Sequence, residues 1–277
     1  MATAPKATTA TAKKEGSGSS IFASLTIVIC IVIGFLLWKF VMGNPSNFEG
    51  GDPENGHPLP GNYFGMVYKG GFIVPVLMGM FLMVIVFSIE RFIVINKASG
   101  SGSIDVFVKK IQANLNAGNI EAAMAECDKQ KGSVANVIKS GLKKYREVEA
   151  DSKMDTEQAS LAIQKDIEEA TSLEMPMLEQ NLTVIATLVS IGTLAGLLGT
   201  VTGMIKAFAG LATAGAPDQA ALANGISEAL INTATGIATS ALAIIMYNIF
   251  TSKIDKLTYS IDEAGFSIVQ TYASTHK

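Results

Sequence analysis

The chain has 277 residues, 49% of them apolar and only 16% charged, with a net charge of −3. A soluble domain is nearer a quarter charged, so this balance, with a mean hydropathy of +0.36, places much of the chain in lipid. Two distant cysteines, Cys30 and Cys127, and two histidines in polar stretches, His57 and His276, leave no disulfide framework, no metal site, no cofactor site and no catalytic histidine, and the charge balance gives no nucleic-acid footprint.

In chain order, a polar stretch over 1–20 with Lys6, Lys13 and Lys14 is expected to be disordered. Ile21 to Met42 is the first of four runs that meet the roughly 20-residue length of a bilayer helix. It is longer than a signal-peptide core, and no small-x-small cleavage site follows Met42, so it reads as a retained anchor. Residues 43–70, rich in Pro, Gly and Asn and carrying Glu49, Asp52 and Glu54, read as irregular coil without a fold of its own. The second span starts at Gly71 and continues through Ile89, within a membrane element at 71–95. ASGSGS, residues 98–103, reads as a flexible joint. Ile104, Val108, Ile111 and Leu115 then recur at helical spacing, AGN at 117–119 breaks the helix, and NIEAAMAEC restarts it. A single helix–turn–helix is no repeat array. Thr156 to Glu179 is an acidic amphipathic helix in which Pro176 marks a kink or boundary. Residues 96–181 carry no P-loop, GxGxxG, HExxH or nucleophile elbow, which points away from an enzyme and toward a cytoplasmic helical bundle shared between subunits. A self-contained soluble domain is the alternative.

Leu182 to Leu211 is the third span, 212–222 a turn, Ala229 to Phe250 the core of the fourth span at 223–250, and 251–277 a C-terminal helix. With both termini in the cytoplasm, all but Lys39, Lys69 and Lys206 of the 21 Lys and Arg residues lie inside, as the positive-inside rule requires. The expected fold class is an all-α membrane protein with four spans and a cytoplasmic helical bundle.

The last two spans differ in grammar. On a wheel of about 100° per residue, Glu228, Asn232, Thr235, Thr239, Gly236, Ser240 and Thr233 fill one arc of roughly 160°. Leu230, Ile231, Ala234, Ala238, Ala241, Ile245 and Ile249 lie opposite. The polar arc is a face for water, protein or ions. In the third span Gly192, Gly196, Gly199, Gly203 and Gly210 share one side. Glycine costs a helix about 1 kcal/mol against alanine, and in a membrane it permits close backbone approach. Thr193 and Thr200 form a narrow line beside it. A lone threonine in a span commonly bonds back to its own helix; Thr200 and Thr233, on adjacent packed helices, suggest more. Glu228 falls near the outer mouth, either snorkelling or lining an ion path, and Lys206 is an available partner. No ionisable side chain falls in the middle of any span. A proton carrier needs a titrating group at depth, so either the chain does not conduct or another polypeptide supplies the acid.

GLLGTVTGMIKAF, residues 196–208, and GISEALINTATGIATSALAIIMYNIF, residues 225–250, resemble the signature of the MotA/TolQ/ExbB proton-channel family, nearest its ExbB and TolQ branch. The first block departs only in the order Met204-Ile205 and in Thr202, where many members have tryptophan; Tyr247 and Asn248 close the second. The likeness extends in layout over 71–260. It implies a pentamer around a pore threaded by a single-span partner resembling ExbD or TolR, which supplies the membrane aspartate. It implies that Thr200 and Thr233 line the pore, that Glu228 is its carboxylate, and that proton flow drives a TonB-like protein acting on outer-membrane transport from a Gram-negative inner membrane. The first span is extra to the usual three. Alternatives are a TolQ-like role in envelope constriction, a motility or adhesion motor, and a non-conducting scaffold. A secondary transporter would show inverted repeats with broken helices, which are not seen.

Overall fold

The computed structural model describes residues 16–54, 56–150, 154–213 and 219–276. The N-terminal residues 1–15 of the stretch expected to be disordered, and 214–218 of the expected turn, lie outside the described residues. The described residues are helical, the single exception to helix and loop being an isolated bridge between Phe48 and Pro58. The elements are α1 (Gly16–Leu36), prolonged by a π turn (Leu37–Met42), α2 (Tyr63–Tyr68), α3 (Ile73–Ser99), α4 (Ile104–Asn116), α5 (Ile120–Gln130), α6 (Gly132–Ala150), α7 (Thr156–Glu179), α8 (Leu182–Thr213) and α9 (Gln219–Thr275). Four helices are long and apolar enough to cross a membrane, so the fold class is an all-α membrane protein.

The fourth span does not stop at Phe250. α9 runs unbroken for 57 residues, about 85 Å at roughly 1.5 Å per residue, far beyond a hydrocarbon layer of about 30 Å. Its distal half buries Ile254, Leu257, Ile261, Ala264, Ile268 and Tyr272, spaced by threes and fours so that one stripe faces inward. That stripe meets Phe107, Ile111 and Leu115 of α4, Ile138 and Leu142 of α6, and Ile163 and Ile167 of α7 in one apolar core. Gly141 lets α6 approach: a Cβ there would sit 2.6 Å from Ile167 Cγ1. The core of the soluble bundle therefore closes within one chain. Cys127 of α5 is 2% exposed, and burial pushes its thiol up to about 12.

Two segments are more ordered than their composition suggests. In 98–103, Ser101 N–H donates to Gln130 O (2.6 Å) and Gln130 Nε2 to Ser99 O (2.9 Å). Gly100 (φ 77°) and Gly132 (φ 83°) let the α3–α4 and α5–α6 corners lie against each other's backbone. This is a docked corner, not a free joint, because backbone donors and acceptors across it satisfy one another. The 43–70 loop is a small cap. Asn47 donates through Nδ2 to the carbonyls of Val41 and Met42, Asn62 Nδ2 donates to Asn47 Oδ1, and Trp38 stacks on Tyr68 at 4.7 Å. The cap ties the end of α1 to the start of α3, and the two helices touch backbone to backbone at Gly34 and Gly79.

Pro176 lies inside α7, and the chain breaks just after it, at Gln180 and Asn181 (φ 63°), before α8 begins. A helix end leaves up to four carbonyls without partners. Here Arg91 of α3, 1% exposed, donates through Nη1 to the carbonyls of Met177 (3.0 Å) and Leu178 (3.2 Å). Its Nε donates to Glu90 Oε2 (2.6 Å), Nη2 pairs with Glu90 Oε1, and Asn181 Nδ2 reaches the same carboxylate. All the charge of this buried guanidinium is thus compensated.

Two expectations follow. Arg91→Met leaves Glu90 without its counter-charge and the carbonyls of Met177 and Leu178 without their donor, and breaking a buried pair costs about 3–5 kcal/mol; the variant should melt well below the wild type in detergent. Native Cys127 should resist iodoacetamide at pH 8, where a thiol titrating near 12 is thiolate in only about one molecule in ten thousand, and react quickly once urea opens the bundle.

Candidate functional site: the α8–α9 seam

The glycines of α8 meet α9 backbone to backbone. A Cβ on Gly196 would lie 3.1 Å from Gly236 Cα and 3.0 Å from Asn232 O; one on Gly203, 3.0 Å from Ala229 N. Gly236 answers from α9, where a Cβ would sit 2.6 Å from Gly192 O. A Cβ on Gly199 would run into Asn232 Cβ, and one on Gly192 would lie 2.7 Å from Ser240 Oγ. The expected small-residue face is thus the contact surface between the third and fourth spans.

The polar residues of α9 divide accordingly. Asn232 and Thr239 are fully buried, and Ser240 and Gly236 are buried too, so these four are covered inside the protomer. Asn232 Nδ2 donates to Gly70 O (2.9 Å) at the turn before α3, and its Oδ1 has no partner among the described residues. Thr239 and Thr235 bond back to the carbonyls of Thr235 and Ile231. Thr193 Oγ1 donates to Ser240 Oγ across the seam (2.8 Å) and is itself exposed.

Thr200 and Thr233 meet hydroxyl to hydroxyl, both half-buried at the edge of the seam. Thr233 Oγ1 also contacts Ala229 O (3.2 Å), and Thr200 Oγ1 contacts Gly196 O (3.2 Å) and Ala229 O (3.4 Å). Each hydroxyl can donate once and accept more than once, so the proton of either can turn between a carbonyl of the helix and the other threonine. Five residues nearer the N-terminal end of α9, about 7.5 Å along the axis, Glu228 pairs with Lys206 of α8 at 2.8 Å. The carboxylate is largely covered, at 13% exposure, and the lysine is 60% exposed. Gly71 (φ 82°) gives the carboxylate its room: a Cβ there would strike Glu228 Oε1. Thr202 bonds back to Gly199 O (3.0 Å). Outward from the seam, Leu194, Leu197, Val201, Leu230 and Ile237 are exposed apolar side chains. Among the described residues no cluster of His, Cys, Asp or Glu could hold a metal ion.

The sequence places Thr200 and Thr233 on adjacent packed helices without pairing them, and offers Lys206 to Glu228; the structure brings each of these two sets into contact. Sequence reasoning missed the Asn232–Gly70 tether and the role of Gly71, which depend on where a loop passes and leave no periodic trace. It also missed Arg91, whose place at the end of a span looked like an ordinary positive-inside residue.

Residues 129–263 match the sequence model of the MotA/TolQ/ExbB proton channel family. The chain is 28% identical over 155 residues to the Tol-Pal system protein TolQ of Pseudomonas aeruginosa, covering 56% of this chain and 67% of that one. It is 30% identical over 112 residues to a putative biopolymer transport protein ExbB-like 3 of Synechocystis, covering 40% and 53%. It is 34% identical over 86 residues to the biopolymer transport protein ExbB of Pseudomonas putida, covering 31% and 26%. The matches thus span about two thirds of the TolQ, half of the ExbB-like protein and a quarter of the ExbB.

The seam makes a direct prediction. Gly199→Ala drives a methyl into Asn232 and should cost about 1–3 kcal/mol, as overpacking does, whereas Leu198→Ala, at an outward position 57% exposed, should change the melting temperature little. Thermal unfolding in one detergent compares them.

Proposed function

We propose that this chain, which belongs to the MotA/TolQ/ExbB proton channel family, is the ring-forming channel subunit of an ExbB-like inner-membrane motor. Copies of the chain, five on the family's pattern, surround a lumen filled by a single-span partner of the ExbD or TolR kind. That partner carries a membrane aspartate. The proton-motive force moves it, and a TonB-like protein passes the motion to outer-membrane transport. Both termini lie in the cytoplasm, and the cap at 43–70 faces the periplasm.

The observation that carries this reading is the hydroxyl pair of Thr200 and Thr233, half-buried at the edge of a tightly packed seam. Irregular or polar groups are tolerated at membrane depth only when covered by protein or lining water. Asn232, Thr239 and Ser240 are covered; the threonine pair stands at the boundary where a neighbouring helix or water would sit. No carboxylate of the described residues lies beside it, which fits a titrating group brought by a partner. Glu228 and Lys206 stand at the outer approach. Exposed leucines and valines around the pair leave few strong hydrogen bonds to hold a moving helix. A potential of 100 mV supplies about 2.3 kcal/mol per charge moved, so contacts in such a lumen must be weak and exchangeable.

A TolQ-like role is the second reading, favoured by the longer TolQ match. Intact-complex mass measurement of the membrane assembly, with identification of the partner, separates it from the ExbB-like one.

Thr233→Val keeps the shape and removes the hydroxyl. The variant should assemble and bind its partner normally while energy-dependent uptake falls to background. Full uptake would remove the hydroxyl relay from the mechanism.

A further inference from the structure

A second feature lies at the far end of α3 from Glu228. An open cavity of about 1400 Å³ is bounded by α1, the end of α3, the start of α6 and the α7–α8 break. It is larger than the roughly 300–1,000 Å³ of an ordinary small-molecule pocket. Its lining has two characters. Phe22, Leu173 and Met177 are exposed apolar side chains at its wall. Lys97 and Lys131 also line it, and neither ammonium group has a hydrogen-bond or ion-pair partner among the described residues. Ser133, 2% exposed in the first turn of α6, borders the same space, and its hydroxyl makes no hydrogen bond among the described residues.

The other charges at the wall are accounted for. Glu90 is held by Arg91, and Glu174 accepts from Asn136 Nδ2 at 3.2 Å. With Glu90 and Arg91 cancelling, two lysines stand against Glu174, which leaves the wall positive. Lys97 lies two residues beyond Ile95, at the end of the apolar run of α3, so the cationic floor sits where a span ends and the apolar wall continues along the membrane-crossing helices. An occupant must therefore carry a negative head and an apolar body.

We propose that this cavity binds an anionic phospholipid from the leaflet next to the soluble bundle. Lys97, Lys131 and the Ser133 hydroxyl hold the phosphate, and the acyl chains lie between Phe22 of α1 and the exposed residues of α7. Basic pockets between membrane helices favour such headgroups. The site lies beside Asn181 and the Arg91 cap, so an occupied cavity would brace the junction between the bundle and the seam helix α8. The basic segment carrying Lys6, Lys13 and Lys14 is the wrong sign for this wall. The inference rests on the membrane placement proposed above, but not on conduction or on the identity of a partner.

The test purifies the full-length protein from vesicles of equal phosphatidylglycerol and phosphatidylcholine and measures retained lipid by mass spectrometry. Wild type should retain phosphatidylglycerol with a preference of about tenfold or more. K97Q/K131Q should lose that preference while helix content and elution volume stay unchanged. Equal retention of the two lipids by wild type, or an undiminished preference in the double variant, would overturn the proposal, the cavity then being a neutral groove or covered by protein. Loss of the bound lipid on washing with inorganic phosphate would assign the site to a free anion and overturn it as well. None of these readouts depends on uptake, so failure of the Thr233 test leaves this one intact.

Discussion

The close backbone contact between α8 and α9 is the constraint on which the rest depends. Lipid offers no hydrogen bonds, and hydrophobic burial supplies little force between two helices already in an apolar medium. What remains is a few hydroxyl hydrogen bonds across the seam and van der Waals contact, which falls off within about an ångström of its optimum. Gly192, Gly196 and Gly203 on one helix and Gly236 on the other bring main chains into that range. The same approach places Asn232, Thr239 and Ser240 inside protein. The glycines and the polar residues are therefore one device: the first removes side chains so that the second can be covered. Asn232 is the incompletely satisfied member, since its Nδ2 is tied to Gly70 and its Oδ1 has no partner among the described residues. Burying an unmatched acceptor costs about 1–3 kcal/mol, which the packing around it has to offset.

The two long connections between membrane and bundle are built differently. α9 crosses without interruption, so the orientation of its polar half is rigidly linked to the stripe running from Ile254 to Tyr272. The other connection is broken at Gln180 and Asn181, and the break is stabilised from a third helix, by Arg91. A guanidinium suits this place because its planar fork serves a carboxylate and two carbonyls at once. The α7–α8 angle is thus set by a polar clamp, while the α9 axis is set by a continuous hydrogen-bond ladder. α3 takes part in both, through Arg91 at one end and the turn at Gly70 and Gly71 at the other.

Much of this was legible in the sequence because two periodicities are strong. Apolar length locates the spans, and a 3.6-residue period sorted glycines and hydroxyls onto faces. Period alone does not say what a face meets. Asn232, Thr235, Gly236, Thr239 and Ser240 read as one face open to water, protein or ions alike, and within the protomer Asn232 and Thr239 are fully covered by the neighbouring helix. The wheel could not separate the middle of the polar arc from its edge, where Thr233 stands. Composition misled in two loops. Gly and Ser at 98–103 and Pro, Gly and Asn at 43–70 suggested slack chain, but positive-φ glycines also build tight corners, and Asn47 organises a cap by bonding backbone carbonyls. Those outcomes depend on which distant backbone lies nearby, and no local pattern encodes it.

The pairing of Glu228 with Lys206 has a wider electrostatic meaning. A lone carboxylate near hydrocarbon is costly and would attract any cation. The lysine at 2.8 Å cancels that charge, and its own 60% exposure keeps the ammonium end hydrated. The described part of the seam is then neutral from Glu228 onward, and the polar groups at its edge are hydroxyls, those of Thr193, Thr200 and Thr233. A neutral hydroxyl can relay a proton but cannot itself be pulled by a field across the membrane. If copies of this chain form the ring proposed above and convert a membrane potential into movement, the charge that feels the field has to ride on another chain, and the work done per step scales with the charge which that chain carries.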